Sequence, residues 1–488
     1  MSQGETLVRP LGTVWTIAIL ALISCMLGCG SSKGPLVGGN NKAQISLTIH
    51  DAPPVGITVL SLQVTIKTAM LQPGNVSIML PETAELTQLQ SDTTILSSLQ
   101  IPSGTYTSLV LDIENPSMTF INNTGGPITP LPGQTCAINA VCQITPVTSG
   151  TTVTFSAAPV FPLVLAPNAE AGLELEFNLA DLVQGDFSLN YFTTGALSLT
   201  QLASVQGAVE IRRLRHVLGT VKLVQANFFS FTTPTGVEMG IDTDGNTTFS
   251  FGAGCLANNF SCIKANQVLE VDISLEGNGT LLAKEVDFEA DVNAEKISGV
   301  VVVLGAGSPP TTFQMLARQA SPAASVVFGS LLTITIGSPT TFTVDNHSFV
   351  LPAGLTFTGA ASLLVGQEVL ADVTIKQVPN PSITTSSIAL RRSQVTALVF
   401  TQPATGGTSF VLSPLPSLFQ TALPTNITSL KVETTSQTNF EHLTSNTIAG
   451  VTLGENVSVG GFLFNTQPSP GTFTIAVDAI RGQPIPGP

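Results

Sequence analysis

The sequence predicts an all-β protein, a Greek-key sandwich followed by about three small barrel-like modules, and three observations predict it. Of 488 residues only 10% are charged and 43% are hydrophobic, with 43 Gly and 32 Pro. A chain so poor in charged helix-surface residues and so rich in turn formers reads as strands and turns. Apolar residues fall at every second position in Ile45, Leu47, Ile49 and again in Leu60, Leu62, Val64, Ile66, the period of a strand with one buried face. Beyond residue 210, similar strand-and-turn segments return at intervals of about 80 to 95 residues.

The first element is a leader. Arg9 precedes the apolar run LGTVWTIAILALIS at 11–24, which has signal-peptide length. Extended to Gly28, the run reaches 18 residues, the lower edge for a membrane span. A plain secretory leader ends in a small-x-small site, whereas here the core runs into small residues followed by cysteine. This resembles the bacterial lipoprotein box, in which that cysteine is lipidated and becomes the new N-terminus. Leu22-Ile23-Ser24-Cys25 matches the box at every position; Met26-Leu27-Gly28-Cys29 is weaker at its first position but is followed by Gly30-Ser31-Ser32. The other cysteines, Cys136, Cys142, Cys255 and Cys262, form two near pairs, each able to close a small loop as a disulfide in an oxidising compartment. Lipidation at Cys29 after removal of 1–28 leaves no odd thiol, whereas lipidation at Cys25 strands Cys29. Cys29 is therefore favoured, with Cys25 the alternative. Resemblance to lipoproteins implies multiple acyl chains, which hold a protein stably at a membrane. Ser31 at the sorting position implies the outer membrane. Residues 29–42 read as a flexible tether of roughly 20 Å average reach.

The first folded unit is expected at 43–210. Its opening strand ends in Asp51-Ala52-Pro53-Pro54, a turn, and residues 84–98 are expected to hold one short helix. Pro102-Ser103-Gly104-Thr105-Tyr106 then delivers a tyrosine into the strand SLVLDI, the arrangement of a tyrosine corner in Greek-key sandwiches. Leu173, Leu175, Phe177 and Leu179 share one face of a closing strand, which leaves Glu174 and Glu176 on its solvated face, about 7 Å apart. Together these segments resemble an uncharacterised N-terminal domain family of bacterial lipoproteins. The resemblance implies a transthyretin-like or immunoglobulin-like sandwich and brings no catalytic residues with it.

Three modules follow, at 219–290, 297–390 and 393–485. Gly219-Thr220-Val221, Gly299-Val300-Val301 and Ser393-Gln394-Val395 each open a strand. Later turns lead into Val-rich strands at Asn266-Gln267-Val268, Gly366-Gln367-Glu368-Val369 and Gly454-Glu455-Asn456-Val457. A Thr-x-Phe recurs at Thr247 to Phe249 and at Thr438 to Phe440, and the middle module diverges most. These units are too short for sandwiches and suit small closed or half-open barrels. They resemble a second bacterial family of unknown function, found in tandem in lipoproteins.

Chemistry-bearing motifs are sparse. Asp242, Asp244 and Asn246 stand at the first, third and fifth positions of a calcium loop, but Thr247 and Ala253 replace its glycine and glutamate. Asp244-Gly245 is equally a hairpin-turn signal, so no metal is assigned. Val303-Leu304-Gly305-Ala306-Gly307 follows a strand but runs into Pro309-Pro310, which excludes a dinucleotide loop and with it that cofactor. Four histidines occur, His50, His216, His347 and His442, without HExxH, CxxC or G-x-S-x-G. His50 beside Asp51 is the obvious member of any scattered triad, and equally a strand-end turn. No catalytic residue or cofactor is assigned.

Net charge of −14 and 17 scattered Lys and Arg exclude nucleic acid as a partner. The densest basic group, Arg212, Arg213, Arg215 and His216, reads as a solvated linker or a charged clamp between domains. The expectation is a non-enzymatic, lipid-anchored envelope protein, facing an envelope protein or a glycan. The alternatives are an envelope hydrolase with a scattered active site and a carbohydrate-binding protein. Trp15 lies in the leader, so Tyr106 and Tyr191 are the amphipathic aromatics left for a sugar.

Overall fold

The computed structural model describes residues 42–482 apart from 53–57, 90–92, 123–125, 132, 139, 203–209, 234–235, 292–293, 322–323, 328, 378–381, 421–426 and 470–471. Cys25, Cys29 and the leader lie outside the described residues, as do the side chains of His50 and Asp51. The protein is all-β. No helix among the described residues is long and apolar enough to cross a membrane.

Two sheets face each other in the sandwich. The first runs in the order Leu197–Leu202, Glu170–Asn178, Lys42–Ala52, Thr94–Pro102. Lys42–Ala52 is parallel to Glu170–Asn178 and antiparallel to Thr94–Pro102. The second is built on the long antiparallel pair Thr58–Gln72 and Ser108–Ile121. The alternation does what it predicts. Ile45, Leu47, Ile49, Leu62, Val64 and Ile66 are fully buried between the sheets. The corner is present: Tyr106 Oη donates to the carbonyl of Pro102 at 2.7 Å. Instead of a helix, the described residues of 84–98 hold a 3₁₀ turn at Leu86–Gln88 between two strands.

Each of the three modules is a five-stranded ring with one topology. In the second, the strands Lys296–Leu304, Thr312–Ala320, Leu331–Val344, Glu368–Lys376 and Ser382–Leu390 close in the order one, two, three, five, four. In the third, Ser393–Thr401, Ser409–Leu412, Ser429–Glu441, Asn456–Ser469 and Thr472–Gly482 do the same. The first begins at Glu210 with the strand Glu210–Gln225, and its third strand is split into Glu238–Asp242 and Thr248–Ser250. Its second, fourth and fifth strands are Phe228–Thr232, Gln267–Glu276 and Leu281–Asp291, and Asp242 faces Leu282 of the fifth to complete the ring. Strands three and five are parallel in all three and the remaining pairs are antiparallel. This is the connectivity of an OB-type Greek-key barrel.

The repeated sequence signals have a common structural cause. Before each fourth strand one residue takes a left-handed backbone: Asn266 (φ 69°), Gly366 (φ 90°) and Gly454 (φ 77°). Its N–H donates to a first-strand carbonyl, Val221 at 2.8 Å, Val301 at 2.8 Å and Val399 at 2.9 Å respectively. The next residue, Gln267, Gln367 or Glu455, accepts through its side-chain oxygen from the N–H three residues back, at 2.7, 2.7 and 2.9 Å. The Thr-x-Phe threonine bridges a break in the third strand to the fifth. Thr247 Oγ1 donates to Ala283 O at 2.8 Å and Thr438 Oγ1 to Val477 O at 2.6 Å. In the divergent middle barrel Thr340 has this role, donating to Thr385 O at 3.2 Å. By the same bonds Ala397, two residues before Val399, is the counterpart of Gly219 and Gly299.

Two disulfides, Cys136–Cys142 in the sandwich and Cys255–Cys262 in the first barrel, close short loops. The units share cores as well: Ile95 of the sandwich packs into the first barrel, and Phe462 and Phe464 of the third pack into the second.

Candidate functional site

Arg212, Arg213, Arg215 and His216 are not in a linker. They lie within the first strand of the first barrel, where the register slips between Leu214 and Val217 and His216 takes a left-handed backbone, φ 53°. That bulge turns consecutive charged side chains toward different neighbours. Arg212 meets Glu174 of the sandwich at 2.5 Å, and Arg213 meets Asp272 at 3.0 Å. Arg215 Nη1 donates to Asp478 O of the third barrel at 3.2 Å. His216 Nδ1 lies 2.6 Å from Glu270 Oε1, and its Nε2 lies 3.6 Å from Asp478 Oδ2. The clamp reading of this group holds, and Glu174, expected on a solvated face, is buried by it.

The second barrel contributes the other half. His347 follows its third strand, again with a left-handed backbone, φ 46°. Carboxylates surround it: Asp287 at 3.3 Å, Glu270 at 3.4 Å, Asp345 at 3.6 Å and Glu289 at 4.0 Å. The His216 and His347 rings are 6.5 Å apart. Arg391 and Arg392 span the two-residue step from the second barrel into the third. Arg391 Nη2 donates to Glu270 and, at 3.2 Å, to Glu289 Oε1, while its Nε faces Asp345 at 3.4 Å. Arg392 Nε donates to Asp478 at 2.6 Å. The result is a buried ionic junction joining all three barrels.

Burial and pairing set the charge states. Burial disfavours the imidazolium of His216, but Glu270, Asp478 and Asp272 outweigh it and push its pKa up to about 10. For His347 burial is again opposed, here by Asp287, Glu270 and Asp345, and the pKa is pushed up to about 12. Glu270 is held well below the usual carboxylate range, since Arg391 and both histidines overcome its burial. Burial raises Asp287 to about 6 against the pull of His347. Burial also raises Glu289 to about 7, where Asp345 and Glu270 add to it against Arg391.

These states decide the chemistry. A histidine already protonated at neutral pH is no general base. Glu270, Glu289 and His347 offer three ligand atoms within 4.8 Å of one another, the one metal-competent group found among the described residues. Arg391 already occupies both of those carboxylates, so the trio is charge-compensated as it stands. The calcium candidate is a closed turn. Asp244 Oδ1 accepts from the backbone N–H of Asn246 at 2.8 Å and of Thr247 at 3.1 Å. Its equivalent in the third barrel, Thr435, likewise accepts from Gln437 N at 3.1 Å. Tyr106 and Tyr191 are both core residues, 4% and 2% exposed, so neither offers a ring to a surface glycan.

Beside the junction lies a cavity of about 190 Å³ to which the sandwich and all three barrels contribute. Gln63, Glu85 and Thr93 come from the sandwich. His216 and Glu270 belong to the first barrel, Arg318 and Glu368 to the second, and Gln394 and Phe462 to the third.

Sequence reasoning singled out the arginine run but missed Glu270, Asp287, Glu289, Asp345, Arg391 and Asp478 as a set. One signal was available. In a chain with 10% charged residues, QVLEVDISLE and KEVDFEAD place carboxylates at alternate positions inside strands otherwise fit for burial. No protein-family model and no curated protein matches the chain.

Proposed function

We propose that this chain is a lipid-anchored protein of the bacterial outer membrane that acts as a rigid, non-enzymatic platform for binding or organising envelope components. The observation that supports it is the ionic junction. Arg212 to Glu174, Arg391 to Glu270 and Glu289, and Arg392 to Asp478 tie the sandwich and the barrels to one another by buried pairs. An array locked at its joints presents surfaces in fixed relative positions, which suits multipoint binding. The leader with Gly28-Cys29 supplies the anchor in this reading. Metabolic labelling with an alkyne palmitate tests it. Incorporation into the outer-membrane fraction should be lost in Cys29→Ala and kept in Cys25→Ala; no incorporation in the native protein overturns the anchor, and equal incorporation in both variants overturns the choice of Cys29.

The hydrolase alternative has one observation in its favour, a cavity edged by ionisable groups beside a carboxyl raised to about 7, Glu289. The histidines held in their charged form weigh against it. Turnover of ester, peptide or glycoside substrates that disappears in Glu289→Gln would favour the hydrolase over the platform.

A further inference from the structure

The three barrels repeat one surface, and its chemistry follows what covers it. Val221, Val301 and Val399 are equivalent, since each accepts from the left-handed residue before its fourth strand. The register slips just after each of them, at Lys222, Val302 and Phe400. The valine faces the core, so the residues on either side of it face out of the barrel. In the first barrel this outer face carries Thr220 and Lys222 with Ala265 from the turn, and Lys222 and Ala265 are exposed. In the second it carries Val300, Val302 and Val365, only 7%, 5% and 2% exposed, because Leu60 and Ile121 of the sandwich and Leu418 of the third barrel pack on it. In the third it carries Leu398, Phe400 and Leu453, which stand 42%, 64% and 64% exposed. The face is polar where it is bare and apolar where it is covered, except in the third barrel, where it is bare, apolar and built of larger side chains. An apolar patch left open in this way marks a docking surface.

The covered copy of the face shows what fits it: the apolar side chains of a sandwich. The sandwich of this chain has spent Leu60 and Ile121 on the second barrel, but it keeps a second apolar pair in solvent. Val147 and Phe192 are 62% and 57% exposed. They stand on neighbouring segments joined by Leu189 N donating to Val147 O at 2.8 Å and Ser149 N to Leu189 O at 3.0 Å. Charge selects the same two regions. Leu398 and Phe400 lie in a stretch, 393–430, without a single Asp, Glu, Lys or Arg, and Val147 lies in another, 116–169. Two copies of a chain of net charge −14 meet there with the least repulsion. We propose that the face formed by Leu398, Phe400 and Leu453 docks the sandwich of a second copy of this chain at Val147 and Phe192. The contact is heterologous, so each copy keeps one open patch of each kind and the copies join head to tail. The inference names an occupant for the platform proposed above and needs no lipid anchor, so palmitate labelling and the association test fail separately.

Patches of this size suit a weak contact, so cross-linking in intact cells tests it, with a bismaleimide and two co-expressed full-length chains that differ in tag. One carries Thr401→Cys and the other Thr194→Cys, exposed positions beside the two patches. Cys136, Cys142, Cys255 and Cys262 are tied in disulfides, and chains without the new cysteines report the background. A dimer of mixed tag is expected. Phe400→Lys gives the third barrel the residue that the first has at this position; it is expected to keep Tm and to lower the yield of mixed dimer about tenfold. Absence of the mixed dimer, Thr401→Cys cross-linked to itself or to another protein in its place, or an undiminished yield in Phe400→Lys overturns the proposal.

Discussion

Arg212 of the first barrel and Glu174 of the sandwich lie 2.5 Å apart with side chains only 12% and 8% exposed. Arg212 also donates to Thr93 Oγ1 at 2.5 Å. Nearby Arg481 is already held below the usual guanidinium value by burial and by Arg212. Glu174→Ala therefore leaves buried positive charge with only the more distant Glu441, at 4.0 Å, to face it, which costs about 3 kcal/mol. Calorimetry should show a Tm lowered by about 5 °C or more. The double variant Glu174→Leu with Arg212→Met should recover most of that loss, because it removes both charges. A Tm for Glu174→Ala within a degree of wild type would show that the pair does not hold this interface.

The junction should make stability fall as pH rises through neutrality. Asp287 and Glu289 have folded pKa values raised to about 6 and about 7. Their favourable contribution is complete below the ordinary carboxyl range and is lost as pH rises through those values. His216 and His347, raised to about 10 and about 12, contribute fully below pH about 6.5 and lose that contribution as pH climbs toward the folded values. Glu270 and Asp478, both held low, act in the opposite sense and lose their contribution only in acid below the usual carboxylate range. Tm should peak near pH 5 and decline toward pH 9. Glu289→Gln should flatten the segment between pH 5 and 7; an unchanged profile in that variant would refute the assignment.

The strands were legible because each buries one face, and period-two alternation states that directly. The tyrosine corner was legible because Pro102 to Tyr106 is a local motif. The repeat was legible at Gln267, Gln367 and Glu455 because their task, capping a turn three residues back, is also local. The ionic junction was not, since its members come from strands separated by up to 263 residues in the Arg215 to Asp478 contact. Glu174 shows the limit most plainly. Alternation put it on the outward face of its strand, which is correct, but not what covers that face. Ser393 misled for a related reason: it opens its strand, whereas Gly219 and Gly299 lie inside theirs.

The Cys255–Cys262 disulfide should act locally. It closes a short loop, and Cys262 sits in the core of the first barrel. The second barrel makes the equivalent turn at Ala360–Ser362 with no disulfide. Replacing both cysteines by serine should cost about 2 kcal/mol. In hydrogen exchange, protection should drop around 251–267 and stay unchanged around 355–367. Equal loss at both places would mean that the loop closure stabilises the array as a whole.

The three capping side chains make one comparison that separates local from long-range roles. Glu455 accepts from Thr452 N and Thr452 Oγ1 at an exposed turn, and Gln267 accepts from Lys264 N at a partly exposed one. Gln367 makes the same turn bond but is fully buried. Its amide also donates to Ser362 O at 3.1 Å and, across to the third barrel, to Leu463 O at 2.8 Å. Truncating an exposed cap loses about 1 kcal/mol, whereas truncating Gln367 leaves a buried N–H and two carbonyls without partners, at about 1 to 3 kcal/mol each. Gln367→Ala should therefore lower Tm more than Gln267→Ala and Glu455→Ala combined. It should also expose the boundary between the second and third barrels to limited proteolysis, which the other two variants should not. Three equal effects would reduce Gln367 to a turn residue and leave Phe462, Phe464 and the Arg392 to Asp478 pair to hold those barrels together.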